Sequence, residues 1–403
     1  MKLSRLALPV LFAALAAPAL AQKEVVVWHA YRAEEKEALE KVVASYNATV
    51  AAKGIKVTTL AVPYDAFADK ITAAVPRGKG PDIFIYAQDR LGGWIEAGKT
   101  VEPIDFFLDK ATKDRFIPTT MEAMTYRGTV YGLPLNYKVI TLIYNRKLVP
   151  TPPKTSKELV ATAKKLTDAK SGRFGLAYSY SDYYYHAALQ NAFGGRVFDP
   201  GPKPVLNAPE NVKALELLMR WFTVDGILPA EPSTALITSL FNGGKAAMVF
   251  SGPWFLGEIA KSIDYGLAPL PTIDEAGGKP MRPWMTVEGV YVTAPSQNKD
   301  AAYDFAKYLT DTPQAKVMAV EGRQTPANKA VYADPAVAGD KILSAFRKQV
   351  EVAVPMPNLP EMTMVWSPAT TAMNTIVKKA ATPKAAMDQA QAAVLKDVAA
   401  LRK

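Results

Sequence analysis

Between Lys23 and Tyr86 the chain alternates strand-like and helix-like patterns, and this alternation restricts the fold more than any other feature. Val25-Val26-Val27 is an apolar run, followed by helical spacing at Ala38, Leu39, Val42, Val43 and Tyr46. Gly54 stops that helix, and Ile55 to Val62 returns as a strand. A second helix is predicted from about Tyr64 to Val75 with Phe67 and Ile71 inward, and Gly80-Pro81 then turns the chain into the run Ile83 to Tyr86. Strand, helix, strand, helix, strand is the signature of a mostly parallel α/β sheet with right-handed crossovers.

The pattern does not end with one sheet. Leu133 to Asn145 is an extended run longer than an ordinary strand, placed after a tight hairpin at Tyr126–Gly132. It is expected to carry the chain from one domain to another. Beyond it a second α/β pattern begins, with strands predicted at Phe174–Tyr180, Lys245–Phe250 and Tyr265–Leu270 and helices between them. The run Val287–Thr293 is a candidate return crossing. With 403 residues, two separate cores can be filled.

In open α/β sheets, ligands bind just past the carboxyl ends of interior strands. Here Ile83–Tyr86 runs into Gln88-Asp89-Arg90, followed by Gly92-Gly93. Tyr86 can offer a ring face, Asp89 a bidentate acceptor and Arg90 a donor fork. A sugar needs that mixture, because its C–H faces pack on aromatics while its hydroxyls need paired acceptors and donors. By themselves these residues also fit an ordinary strand end with a surface ion pair.

Other features narrow the class. Met1 to Arg5 is a short basic start, Leu6 to Leu15 an apolar run, and Ala19-Leu20-Ala21 a small-x-small cleavage site. This is read as a signal peptide (residues 1–21) cut after Ala21. No cysteine is present, which excludes disulfides, thiolate metal sites, a cysteine nucleophile and a lipid-modified cysteine at the mature N-terminus. Export without an anchor fits a periplasm. The formal charge is +10, but lysines and arginines are interspersed with acids and form no basic run. The excess is read as a solvated basic surface, not a nucleic-acid interface.

Catalysis is poorly supplied. The two histidines, His29 and His186, belong to no spaced metal motif, and no Gly-x-Ser-x-Gly elbow, P-loop or Gly-x-Gly-x-x-Gly fingerprint occurs. Neither cofactor nor metal is implied, and the chain reads as a binding protein and not an enzyme. Aromatics are instead concentrated at element ends. Tyr178 to His186 holds five tyrosines in nine residues with Asp182, where packing on neighbouring helices accounts for three of the five. Trp254, after Gly252-Pro253, and Trp366, before Ser367-Pro368, each fit a core plug or a stacking platform. Together these rings could line a cleft between domains.

Several of these stretches resemble one family. Gly80-Pro81-Asp82-Ile83 through Asp89-Arg90-Leu91-Gly92-Gly93, Leu142-Ile143-Tyr144-Asn145 followed by Pro150–Thr155, Gly252-Pro253-Trp254, and Met356–Met362 leading to Trp366 resemble the periplasmic maltose/maltodextrin-binding proteins, the solute-binding components of carbohydrate ABC transporters. The resemblance covers the mature chain and implies a two-lobed α/β periplasmic binding protein fold with hinge segments and an interlobe cleft. One lobe would comprise residues 22–136 and 288–325, the other 137–287 and 326–403. It implies a monomer that captures a malto-oligosaccharide, closes by hinge motion and delivers the sugar to a membrane permease.

Residue by residue, Asp89 and Arg90 match the family's hydroxyl binders, and Tyr86 stands where the family has a stacking tryptophan. Asp182 stands for an acidic hydroxyl binder, Tyr184 for its aromatic neighbour, and Trp254 and Trp366 for the stacking tryptophans of the second lobe. Three departures bear on the choice of sugar. Tyr31-Arg32 or Arg32-Ala33 stands where the family has an Asp-Lys pair, Lys138 occupies the place of a hinge-strand glutamate, and Ser367 and Thr370 replace a tyrosine and an arginine. Retained stacking with altered polar contacts implies an α-glucoside whose length or linkage can differ from maltose. The alternatives are another oligosaccharide or a non-sugar solute in the same fold, and an exported carbohydrate-active enzyme with a carboxylate pair in the cleft.

Overall fold

A computed structural model describes residues 23–401; the leader and its cleavage site lie outside the described residues. The alternation at the start of the chain forms as expected. Strands Lys23–His29, Ile55–Ala61 and Ile83–Ala87 pair in parallel, joined by helices Ala33–Val50 and Tyr64–Ala74. Each crossover helix buries one stripe, with Leu39, Val42, Phe67 and Ile71 inward. The sheet is not parallel throughout. The nine-residue strand Trp284–Val292, buried along its whole length, runs antiparallel to Ile83–Ala87 on one side and to Leu133–Lys138 on the other. Its first residues also pair with the short strand Val354–Pro355.

The long extended run divides in two. Leu133–Lys138 belongs to the first sheet, while Thr141–Asn145 belongs to a second sheet of order Tyr265–Ala268, Thr141–Asn145, Ala246–Ser251, Phe174–Ala177. Only Val139 and Ile140 separate the two, so the chain passes directly between sheets, as its length predicted. Alternation along the second sheet supplies two cores. Ile143 and Val249 face the core that also covers the first sheet, while Leu142, Met248 and Phe250 face the core under the C-terminal helices.

The chain crosses between the sheets again behind the molecule. Helix Thr312–Val320 packs on Ala33–Val50, whereas helix Lys341–Val350 packs on Tyr265–Ala268 and Thr141–Asn145. Helices Met362–Val377 and Pro383–Leu401 then complete the second half, the former against helix Tyr183–Ala192. The two α/β halves form the expected two-lobed fold. Among the described residues, no helix is long and apolar enough to cross a membrane.

Candidate functional site

On the first sheet, Ile83–Ala87 passes into a short 3-10 turn, Gln88–Arg90, which is continuous with helix Leu91–Glu96. Gln88 is buried and locks that turn to the long strand. Its Oε1 accepts from Val287 N at 2.7 Å, and its Nε2 donates to the Met356 carbonyl at 3.2 Å. Asp89 follows, 8% exposed, with Arg90 Nε 3.5 Å from its Oδ2. Burial pushes the Asp89 carboxyl up to about 6, while the Arg90 charge and the Trp366 indole N–H act to hold it down. Trp366 belongs to helix Met362–Val377 of the other lobe, so this contact joins the two halves.

From Trp366 an aromatic wall extends along the second lobe. Trp366 meets Trp284 edge to face at 5.8 Å, Trp284 lies 6.3 Å from Tyr184, and Tyr184 lies 6.1 Å from Trp254. Tyr185 closes the corner, edge-on to Trp254 at 6.4 Å. Trp254 is 37% exposed, which removes the core-plug reading. Its ring folds back over Gly252, where a Cβ would come within 2.3 Å of the indole, so only glycine allows this pose. Of the five clustered tyrosines, Tyr178, Tyr180 and Tyr183 are buried, and Tyr184 and Tyr185 line the wall.

Asp182 lies at the wall's edge as the N-cap of helix Tyr183–Ala192, its Oδ1 accepting from Tyr184 N at 2.8 Å. It is open to solvent, yet the protein around it raises its pKa through desolvation. The Tyr184 hydroxyl is 3.4 Å from Thr286 Oγ1 of the long strand.

At two positions the structure departs from the sequence expectation. Tyr86 presents no open ring face. It is 6% exposed, with its ring 5.0 Å from Phe67 at an interplanar angle of 5° and 5.2 Å from Tyr64 at 25°. The reason is positional: Tyr86 lies within the buried strand, under the helix that follows Ile55–Ala61. Lys138 is likewise engaged. Its Nζ lies 3.0 Å from Glu288 Oε1 and 3.5 Å from Glu35, and these carboxylates raise its pKa against the opposing effect of burial. Glu288 Oε2 also accepts from Tyr31 Oη at 2.9 Å and Asn136 Nδ2 at 2.8 Å, and Asn136 Nδ2 reaches Gln324 Oε1 at 3.0 Å. This buried hub ties the two strands that flank the lobe crossing. Glu288 lies 150 residues from Lys138, so nothing local in the sequence revealed the pair. Arg32 is exposed just before helix Ala33–Val50, while Tyr31 beside it is buried in the hub.

The two histidines are buried, and burial lowers His29 to about 4 and His186 to about 3. Both are therefore neutral near pH 7. Among the described residues, no group of three or more His, Asp or Glu side chains could hold a metal ion. Trp284, Gln88 and Glu288 complete the site and were not singled out from the sequence; Trp284, flanked by Pro283, carried the only visible signal.

The arrangement is an aromatic wall facing a carboxylate–guanidinium pair across two lobes, in a chain that is similar over most of its length to several known proteins. The chain is 32% identical over 384 residues to a maltotriose-binding protein of Pyrococcus abyssi, covering 93% of this chain and 82% of that protein. It is 29% identical to a galactooligosaccharide-binding protein of Bacillus subtilis, over 91% of this chain and 87% of that protein. Among solved structures, a cyclo/maltodextrin-binding protein complexed with maltotetraose superposes with a TM-score of 0.83 at 31% identity, covering 93% of this chain and 97% of that one. A Thermus thermophilus maltotriose-binding protein bound with maltotriose gives 0.81 at 28% identity, over 93% and 100% of the two chains. The family model for bacterial extracellular solute-binding proteins matches residues 30–316. With its fold and its sequence in agreement, the chain belongs to the bacterial extracellular solute-binding protein family.

Proposed function

We propose that this protein captures a malto-oligosaccharide between its lobes and hands it to the membrane permease of an ABC transporter. The observation that carries the reading is the wall Trp254–Tyr184–Trp366, backed by the buried ring of Trp284, facing Asp89 and Arg90. Glucosyl rings stack on the wall while Asp89, Arg90 and Asp182 pair their hydroxyls. A ligand that touches both lobes rewards the closed form and excludes water from the polar contacts. Capture is reversible and non-covalent. The lobes would be residues 22–136 with 288–325, and 137–287 with 326–403, and the mature protein would act as a monomer in the periplasm. Relatives that bind maltotriose and maltodextrin support this choice of sugar.

Calorimetric titration of the refolded, sugar-free mature chain with maltose, maltotriose, a cyclodextrin, trehalose and sucrose tests it. Micromolar or tighter binding of a malto-oligosaccharide, with no hydrolysis product, is the expected result. No heat with any malto-oligosaccharide would overturn it. The galactooligosaccharide-binding relative favours a second reading, a galacto-oligosaccharide in the same cleft, so one belongs in the same series.

A further inference from the structure

The second lobe offers several rings, whereas the first lobe's expected ring, Tyr86, is covered. Tyr64 is positioned differently. It opens helix Tyr64–Ala74, three residues after strand Ile55–Ala61 ends, and so lies at the same strand-end level as Asp89. Phe67 and Ala68, three and four residues later on the same helix face, are buried. Tyr64 nevertheless remains 52% exposed, with its ring resting on Tyr86. About half of the residue's surface is thus left in water, with its ring held by stacking on a ring that itself stacks on Phe67 in the core. Desolvation by the surrounding protein raises the pKa of its phenol well above the ordinary value, with Tyr86, Asp89 and Glu288 adding to the shift, so the hydroxyl stays protonated.

We propose that Tyr64, and not Tyr86, is the stacking residue of the first lobe, its exposed face covering a pyranose ring held against the second lobe's wall. The inference rests on the sugar-binding reading above and adds the residue that makes a sugar bridge both lobes. Because the ring is already held by Tyr86, little conformational freedom is lost when a sugar covers it. The hydroxyl is a secondary contact; the face is the primary one.

The test is titration of the wild-type chain and of Tyr64→Leu, Tyr64→Ala and Tyr64→Phe with malto-oligosaccharides and a galacto-oligosaccharide, with circular dichroism confirming the fold of each. Tyr64→Leu keeps an apolar cover over Tyr86 but has no ring, so it separates stacking from folding if Tyr64→Ala is unstable. Loss of affinity by roughly tenfold or more in Tyr64→Leu, with Tyr64→Phe within about threefold of wild type, is expected. Wild-type-like affinity in Tyr64→Leu would overturn the assignment while leaving the capture of malto-oligosaccharide intact. If wild type binds only the galactoside and Tyr64→Leu loses it, the choice of sugar fails and Tyr64 stands. If wild type binds no sugar in the series, both fall.

Discussion

Asp89 carries the site's main titration. Its carboxyl is raised to about 6 by burial, and sugar hydroxyls donate better to the ionised form. If Asp89 pairs sugar hydroxyls as proposed, sugar binding releases a proton, and affinity is expected to rise as pH passes through about 6 and to level off above it. Titrations from pH 5 to 8 read this directly, and Asp89→Asn is expected to bind more weakly with a flat profile. Stability moves the opposite way. A carboxyl whose folded pKa lies above its unfolded value contributes fully at low pH, and the contribution is lost as pH rises through the folded value. Without sugar, Asp89→Asn is thus expected to be more stable than wild type at pH 8, on the order of 3 kcal/mol for a shift of about two units, with the gain gone near pH 4. Urea denaturation at the two pH values checks it. The tryptophans separate by the same measurement. Trp254→Ala and Trp366→Ala are each expected to cost roughly tenfold or more in sugar affinity, about 1.4 kcal/mol. Only Trp366→Ala, which removes an N–H from Asp89, should move the midpoint of the pH profile upward.

Elements bring these residues together through a few close approaches. Helix Leu91–Glu96 meets the segment before helix Met362–Val377 at Gly92, whose N–H donates to the Asn358 carbonyl at 2.9 Å. A Cβ on Gly92 would lie 2.4 Å from that oxygen and 2.7 Å from Pro360 Cδ, both held by backbone. Gly92→Ala is therefore expected to push the 358–360 segment, and Trp366 with it, away from Asp89. Its signature would be weaker sugar binding with little loss of helical circular dichroism. Element type was readable from sequence because periodicity is local. Helices Ala33–Val50 and Tyr64–Ala74 form where the spacing predicts them. The antiparallel insertion of Trp284–Val292 was not readable, since a buried run looks the same in either direction.

At the scale of the molecule, the hub of Glu288, Lys138, Tyr31 and Asn136 ties together the strands beside the lobe crossing. Charges this buried are costly to leave alone. Lys138→Met is expected to destabilise the protein by about 3–5 kcal/mol, and Lys138→Met with Glu288→Met to recover most of that loss. Chemical denaturation of the two variants decides it, and a single-variant loss that the double variant fails to relieve would mean the charge pair is not its cause.

The residue order by itself determined the α/β class, the passage between sheets at Leu133–Asn145, and the concentration of aromatic and charged residues at strand ends. These follow from local periodicity and turn chemistry, which each segment carries regardless of the rest. Tertiary structure alone decided which of those residues face the cleft. It buried Tyr86 and left Tyr64 open, paired Lys138 with a glutamate 150 residues away, and set Trp366 of one lobe on Asp89 of the other. Contacts between distant segments depend on how whole elements pack, and no spacing along the chain encodes that packing.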